Sequence, residues 1–413
     1  MSGLPALTMR KIAVGLVCVV LVVTAAGWVL YHRAVSAITT SSALDSQPAS
    51  PGGEQNILIM GLDTRRDQQG KPLPLQMYDA LHAGDQSYSA DGAGYDADVL
   101  LVAHVPAGDG PVTVLSIPRD DYVDLPGCPG GQCQGKVKTA YRLAYQDALS
   151  SARPSGGGSA WWTQPPNRAG EQEAREAGRR AQIAAVRALL DIPIDHFVEI
   201  GLAGFFEVAR VVAPITVCLN GDTSDPSYSG AGFRRGLQQI DAAQALAFVR
   251  QRRDLDDQSF TDLDRTRRQQ AFLVGLLGAV RREANSADPG QLRDLLGVAR
   301  RNIAVDSGLD LAAMVDGAAE LARHPVRLYT LPINDFRTLG DGEDVNIVDP
   351  AAIRGMVAGL LSGSAGTSAR GWAAPAALHS APVTTVPATG SADAGPAPTD
   401  LSRMTDGSVP CVK

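Results

Sequence analysis

"DVLLVAHV" (98–105) and "VTVLSI" (112–117) are two apolar runs, each too short for an ordinary helix and bounded by Gly, Pro and Asp turn signals. Runs of that kind are buried strands. "NILIM" (56–60) precedes them, and "HFVEIGL" (196–202), "PITVCL" (214–219) and "VRLYTLP" (326–332) follow with the same character. Helical periodicity is clear between them, at 139–150, 174–190, 202–213, 241–250, 262–284 and 308–323. Strands alternating with helices predict a layered α/β domain over residues 55–363. Residues 64–97 and 151–173 interrupt it with Gly, Ser and Pro and read as surface insertions; the second carries Trp161 and Trp162, which either stack on sugars or pack on the domain.

The flanks differ in kind. Ile12 to Leu30 holds no charge, and at about 1.5 Å per residue it nearly spans a hydrocarbon core of roughly 30 Å. Arg10 and Lys11 precede it, so residues 1–11 are expected in the cytoplasm, 12–31 as a single transmembrane anchor, and the rest outside. A cleaved signal peptide is the competing reading, since "AVSA" (34–37) offers small residues. Residues 32–54 form a linker, and the Ala-, Gly-, Ser- and Pro-rich stretch 364–413 a disordered or extended tail. A net charge of −7 argues against nucleic acid as a partner.

Beyond the membrane segment lie Cys128, Cys133, Cys218 and Cys411. In an oxidising compartment an even number suggests two disulfides, with three possible connectivities. A zinc site competes poorly, because no neighbouring His or second close Cys pair supports it. Cys128 and Cys133 share one Gly- and Pro-rich loop and can bridge each other, which leaves Cys218 for Cys411 and would pin the tail across the domain; a swapped pairing is the alternative.

Three polar clusters lie at strand ends. "GLDTR" (61–65) places Asp63 and Arg65 after the first strand, "DAD" (96–98) opens the second with Asp98, and "IPRDD" (117–121) ends the third with Arg119 and Asp120. Such edges are where ligands bind in open α/β sheets. Asp63 and Asp98 suit a hard cation such as Mg²⁺, and the arginines would grip phosphate oxygens. The competing reading makes each Asp a cap or turn former.

"SFTDLDRTRRQQAFLVGLL" (259–277) sharpens the picture. Thr261 with Asp264 resembles a capping box. At about 100° per residue, Arg265, Gln269, Phe272, Leu276 and Val280 share one face, so Arg265 and Gln269 are expected to point inward and Arg267 outward. An inward arginine needs an anion, either a structural Asp or a phosphate at the helix N-terminus. No G-x-S-x-G, P-loop or dinucleotide fingerprint is present.

"NILIMGLDTR", "ADVLLVAHV", "VTVLSIPRDDYV", "KVKTAY", "IDHFVEIGLAGF" and "QALAFVRQRR…DLDRTRRQQAF" stand in the order found in the LytR-CpsA-Psr family. The resemblance covers roughly residues 55–280 and is nearest to the branch from actinobacteria with mycolic-acid envelopes. It implies an α/β/α domain with a central mixed sheet. It also implies transfer of a glycan from a polyprenyl-pyrophosphate carrier onto peptidoglycan, in that branch arabinogalactan onto the muramic acid 6-hydroxyl. Asp63 and Asp98 resemble the family's Mg²⁺ ligands, with Mn²⁺ as a substitute. Arg119, Arg250, Arg252, Arg265 and Gln269 resemble its pyrophosphate-binding groups, and Lys136 matches a family lysine. Asp120 is the expected base for the acceptor hydroxyl.

Two departures stand out. Asp96 occupies a position where many members have Arg, and Lys138 replaces the usual Asn. The run between Arg252 and Asp262 is acidic (Asp254, Asp256, Asp257) and carries no assigned role. The rival functions are a pyrophosphatase using water as acceptor and a non-catalytic envelope protein that binds prenyl-linked glycan.

Overall fold

The computed structural model describes residues 38–45, 47–73, 78, 94–151, 168–284, 289–310, 324–362, 404–405 and 408–413. The expected anchor 12–31, Trp161 and Trp162, and residues 311–323 of the expected helix 308–323 lie outside the described residues. Among those described, no helix is long and apolar enough to cross a membrane.

The strands are β1 (Thr39–Ser41), β2 (Gln55–Leu62), β3 (Ala97–Val105), β4 (Val112–Ser116), β5 (Asp121–Asp124), β6 (Gln134–Lys136), β7 (His196–Gly201), β8 (Ile215–Leu219) and β9 (Thr223–Asp225). They continue with β10 (Ala231–Phe233), β11 (Gly236–Ile240), β12 (Ile303–Asp306), β13 (Val326–Thr330), β14 (Asp335–Thr338), β15 (Asp344–Ile347), β16 (Met404–Thr405) and β17 (Cys411–Val412). The helices are α1 (Thr139–Ser151), α2 (Arg168–Leu190), α3 (Leu202–Val212), α4 (Ala242–Arg250), α5 (Asp262–Ala284), α6 (Pro289–Asn302) and α7 (Pro350–Leu361).

Eight strands build the central mixed sheet in the order β1-β12-β7-β2-β3-β4-β13-β16. Residues alternate between its two faces, as the pleat requires. Leu58, Met60, Leu62, Leu100 and Val102 turn to one core, which they share with Tyr141 and Leu143 of α1, Ile183 and Val186 of α2, and Ile353 of α7. Leu101, Val114 and Leu328 turn to the other, against Phe248 of α4, Phe272 of α5 and Val217 of β8. Helices on both faces explain why the central strands read as unbroken apolar runs. The expected α/β/α layering and mixed sheet are both present.

Several expectations about the flanks are corrected. β1, inside the expected linker, pairs in parallel with β12. Within the expected insertions, Thr64, Arg65, Gln68 and Leu73 are buried, and α2 runs back to Arg168. The expected tail ends in structure: β16 extends the central sheet beside β13, and β17 lies parallel to β8. "PITVCL" is a strand, but of a separate three-stranded sheet, β11-β8-β17. Both expected disulfides form, Cys128–Cys133 and Cys218–Cys411.

Candidate functional site

β3 is antiparallel to both neighbours, so its first residues sit beside the last residues of β2 and β4. That single topological fact brings "GLDTR", "DAD" and "IPRDD" together. The Asp63 amide donates to the Asp96 carbonyl at 3.2 Å, closing the first two segments on each other. Gly94 makes the approach possible: at its φ of 107° a Cβ would stand 2.5 Å from the Asp63 carbonyl oxygen.

Above this junction lies a cavity of about 350 Å³, lined among others by Asp63, Arg65, Asp98, Arg119 and Arg252. The sequence pointed to all five. Arg119, three residues beyond β4, is buried and donates from Nη1 to Asp98 at 2.8 Å and from Nη2 to Asp262 at 2.9 Å. Arg252 reaches Asp98 at 3.1 Å. Arg265, in the first turn of α5, is 3% exposed; its Nη2 lies 3.3 Å from Asp262 and its Nη1 3.9 Å from Asp98. Its Nε is buried without an acceptor. Burying a guanidinium donor without a partner costs about 1–3 kcal/mol or more. The inward direction expected for Arg265 is therefore observed, with one donor left over.

The charges are unevenly matched. Burial alone would raise the Asp98 carboxyl, but Arg119, then Arg265, Arg252 and Lys138, hold it well below the usual carboxylate range. Asp63 goes the other way. Burial raises it, Arg65 opposes this, and the like charge of Asp98 adds to the rise. Burial pulls the Arg265 guanidinium down to about 10 in spite of Asp262, and Arg119 adds repulsion. Burial likewise lowers Arg250, at the end of α4, with Asp63 the chief opposing charge. Asp63, raised by burial, thus stands near Arg250 and Arg265, lowered by burial, and Asp63 and Asp98 are the two cavity carboxylates that could hold a divalent cation. Among the described residues no group of three or more His, Cys, Asp or Glu could hold a metal. The two-carboxylate pattern is the kind Mg²⁺ uses when phosphate oxygens and water complete its shell.

Other candidates lie apart from the cavity. Gln269 is half-buried and donates to the Val249 carbonyl at 3.5 Å, tying α5 to the last turn of α4. Lys136 faces Glu343 at 3.0 Å and Asp120 at 3.7 Å. Asp120 is itself held by Lys138 at 2.7 Å and Arg119 at 3.4 Å, so its visible part is to fix Lys138. Arg267, expected to face solvent, is buried and donates to Gln270 at 2.9 Å; Gln270 in turn donates to Ser116 and Thr330. The expectation failed because α5 is sandwiched between the central sheet and β8, leaving its first turns no solvated face. The same packing covers Arg268, which lies between the rings of Phe248 and Phe260. Further along, Val280 is 42% exposed, although the stripe from Phe272 was expected to carry it into the core.

Three participants were missed or undervalued. Asp262 grips Arg119 and Arg265 together; its position three residues before Arg265 on one helix was the available signal. Lys138 lines the cavity. So does Arg142 of α1, which pairs with Asp96 at 2.7 Å. The acidic run also gains a role, because Asp254 accepts from the Ser224 amide and Asp257 binds Lys413 at 2.8 Å.

A larger cavity of about 490 Å³ near Gln47, Arg187 and Asp191 gathers no comparable set of charges.

The LytR_cpsA_psr family matches residues 27–358. The cell wall biosynthesis protein LcpA of Corynebacterium glutamicum is 32% identical over 298 residues, 72% of this chain and 54% of that protein. A polyisoprenyl-teichoic acid–peptidoglycan teichoic acid transferase, TagU, of Enterococcus faecalis is 28% identical over 225 residues, 54% of this chain and 53% of that protein. The chain thus spans about half the length of these relatives. Protein gbs0355 of Streptococcus agalactiae shares the fold with a TM-score of 0.53 at 19% identity, over 78% of this chain and 91% of that one.

Proposed function

This chain belongs to the LytR_cpsA_psr family, and on that premise we propose that it transfers a glycan from a polyprenyl-pyrophosphate carrier to peptidoglycan, with the pyrophosphate bound in the cavity. The observation that carries the reading is Arg265: a guanidinium buried at a helix start, behind the cavity-lining Asp98, with its Nε left without an acceptor. A pyrophosphate supplies what is missing. In the closer form of the proposal the glycan is arabinogalactan and the acceptor is the muramic acid 6-hydroxyl. Segment 12–31 then holds the domain at the outer face of the membrane.

Phosphoryl transfer asks a protein mainly for alignment and charge neutralisation. The acceptor oxygen forms a bond to the glycan-bearing phosphorus while the bond to the bridging oxygen breaks. Prenyl phosphate leaves with the electron pair, and the acceptor's proton passes to a base. Arg119, Arg252 and Arg265 would gather the phosphate oxygens, and Arg65 and Lys138 the flanks. Asp63 and Asp98 would hold Mg²⁺, which supplies further neutralisation of the leaving group. The prenyl chain would need an apolar groove beside the cavity. Each methylene buried there is worth about 0.8 kcal/mol.

The test is an assay of the purified protein with lipid-linked glycan, with and without peptidoglycan. Release of prenyl phosphate only when acceptor is present supports the transferase. Equal release without acceptor makes the protein a hydrolase, and binding without release makes it a carrier.

A further inference from the structure

α2 carries Glu171, Arg175, Arg179 and Gln182 at helical spacings that align them on one face. All four are at most 1% exposed, as is Glu199 on β7. Arg175 donates to Glu171 at 2.8 Å and to Glu199 at 3.2 Å, and Arg179 donates to Glu199 at 2.8 Å. The Tyr141 hydroxyl and the Gln68 amide complete the shell of Glu199. Burial would raise Glu199, but Arg179 and Arg175 hold it down to about 2.

Such a lattice is a poor source of stability, since well-packed apolar side chains often do as well. What apolar side chains could not do is hold polar loops. Arg175 donates to the Asp67 carbonyl at 2.9 Å, Arg179 to the Gln68 side chain at 3.1 Å, and Gln172 to the Gln68 carbonyl. These bonds secure the segment that begins with Asp63 and Arg65. Tyr95, one residue past Gly94, donates to Glu171 at 2.6 Å and lies under the Arg175 guanidinium. That secures the segment of Asp96 and Asp98. Gln182 donates to the Val137 carbonyl at 3.0 Å, between Lys136 and Lys138. Three cavity-lining segments, far apart in sequence, are tied to one helix face.

We propose that Glu171, Arg175, Arg179 and Gln182, closed on Glu199, are positioning residues that fix the 63–73, 94–98 and 136–142 segments relative to one another. This takes from the proposed function only that the cavity is where the chemistry occurs. A fully satisfied buried network is stiff, and a site that must align a pyrophosphate gains from that stiffness.

The test uses the full chain with Gln68→Met, which cuts the side chain's bonds to Arg175, Arg179 and Glu199, and Tyr95→Phe, which cuts the hydroxyl's bonds to Glu171 and Arg175, each keeping the side chain's bulk. The readout is amide hydrogen exchange at Asp63, Ala97 and Lys138, whose amides bond to Asp96, Lys138 and Arg119 across the cavity floor. Exchange should accelerate at least tenfold at Asp63 and Ala97 in one or both variants, with β8 and β11 unchanged. Wild-type protection at these amides in both variants, or equal acceleration in β8 and β11, overturns the proposal. In parallel, the Kd for inorganic pyrophosphate by calorimetry should rise at least tenfold. A wild-type protein that binds no pyrophosphate counts against the proposed function, while the exchange result still decides the positioning role.

Discussion

The Arg119 guanidinium bridges two carboxylates from distant parts of the chain, giving one edge to Asp98 at 2.8 Å and another to Asp262 at 2.9 Å. A lysine carries the same charge without the paired donors. Arg119→Lys should therefore free Asp98 and Asp262 from each other. Pyrophosphate affinity by calorimetry should fall at least tenfold and turnover by about 10²-fold. Near-normal values would show that the bridge is ornamental to the reaction.

Arg265 and Arg267 separate binding from folding. Arg265→Gln removes a desolvated cation, so the fold should persist while stabilisation by pyrophosphate in thermal melts disappears. Arg267→Ala leaves the Gln270 oxygen without its donor and should cost about 1–3 kcal/mol with pyrophosphate binding retained. Arg234→Ala, at a side chain 90% exposed, is the neutral control, within about 0.5 kcal/mol. Retained pyrophosphate stabilisation in Arg265→Gln would remove the main support for the proposed function.

Asp63 and Asp98 should answer pH in opposite senses. The folded protein raises Asp63, chiefly by burial, so its favourable contribution is complete below the unfolded value near 3.8 and is lost as pH rises through the folded value. Asp98 is depressed; its contribution is present above 3.8 and is lost as pH falls through its folded value. Without divalent cation at pH 7, Asp63→Asn should therefore melt higher than wild type and Asp98→Asn lower, the latter by about 3–5 kcal/mol. Mg²⁺ at about 100 times its Kd should add about 2.7 kcal/mol to wild type and nothing to Asp63→Asn. Melting and turnover indifferent to a chelator would rule out the two-carboxylate cation site.

The two disulfides should differ in worth. Cys218–Cys411 closes a sequence separation of 193 and Cys128–Cys133 one of 5, which chain entropy converts to about 5 and about 2 kcal/mol at most. Cys411→Ser should lower the melting temperature more than the Cys128→Ser, Cys133→Ser pair. Non-reducing peptide mapping must also return the 218–411 peptide.

Much of this was legible in the chain because it is local. The buried strands announce themselves as apolar runs, and "GLDTR", "DAD" and "IPRDD" sit at strand ends that an α/β sheet brings together. Arg265 was found by helical phase alone. Arg267 defeated the same reasoning because helical phase says which side faces one neighbour, and α5 has two. Asp262, Arg142 and the face of α2 were missed because their meaning lies in partners up to 143 residues away, as for Arg119 and Asp262. Strands such as β16, two residues long, are below the length at which alternation exists.

β16 and β17 have a consequence for synthesis. Among the described residues, the strands that pair with the outer edge of β13 and with one edge of β8 are residues 404–405 and 411–412. A nascent chain that has emerged as far as α7 already holds the cavity residues, yet it displays two unpaired backbone edges, each a template for a foreign strand. The last few residues therefore act as a deadline: slow delivery of that segment favours self-association of otherwise competent chains, and a peptide spanning 404–413 should rescue a chain that stops at 363.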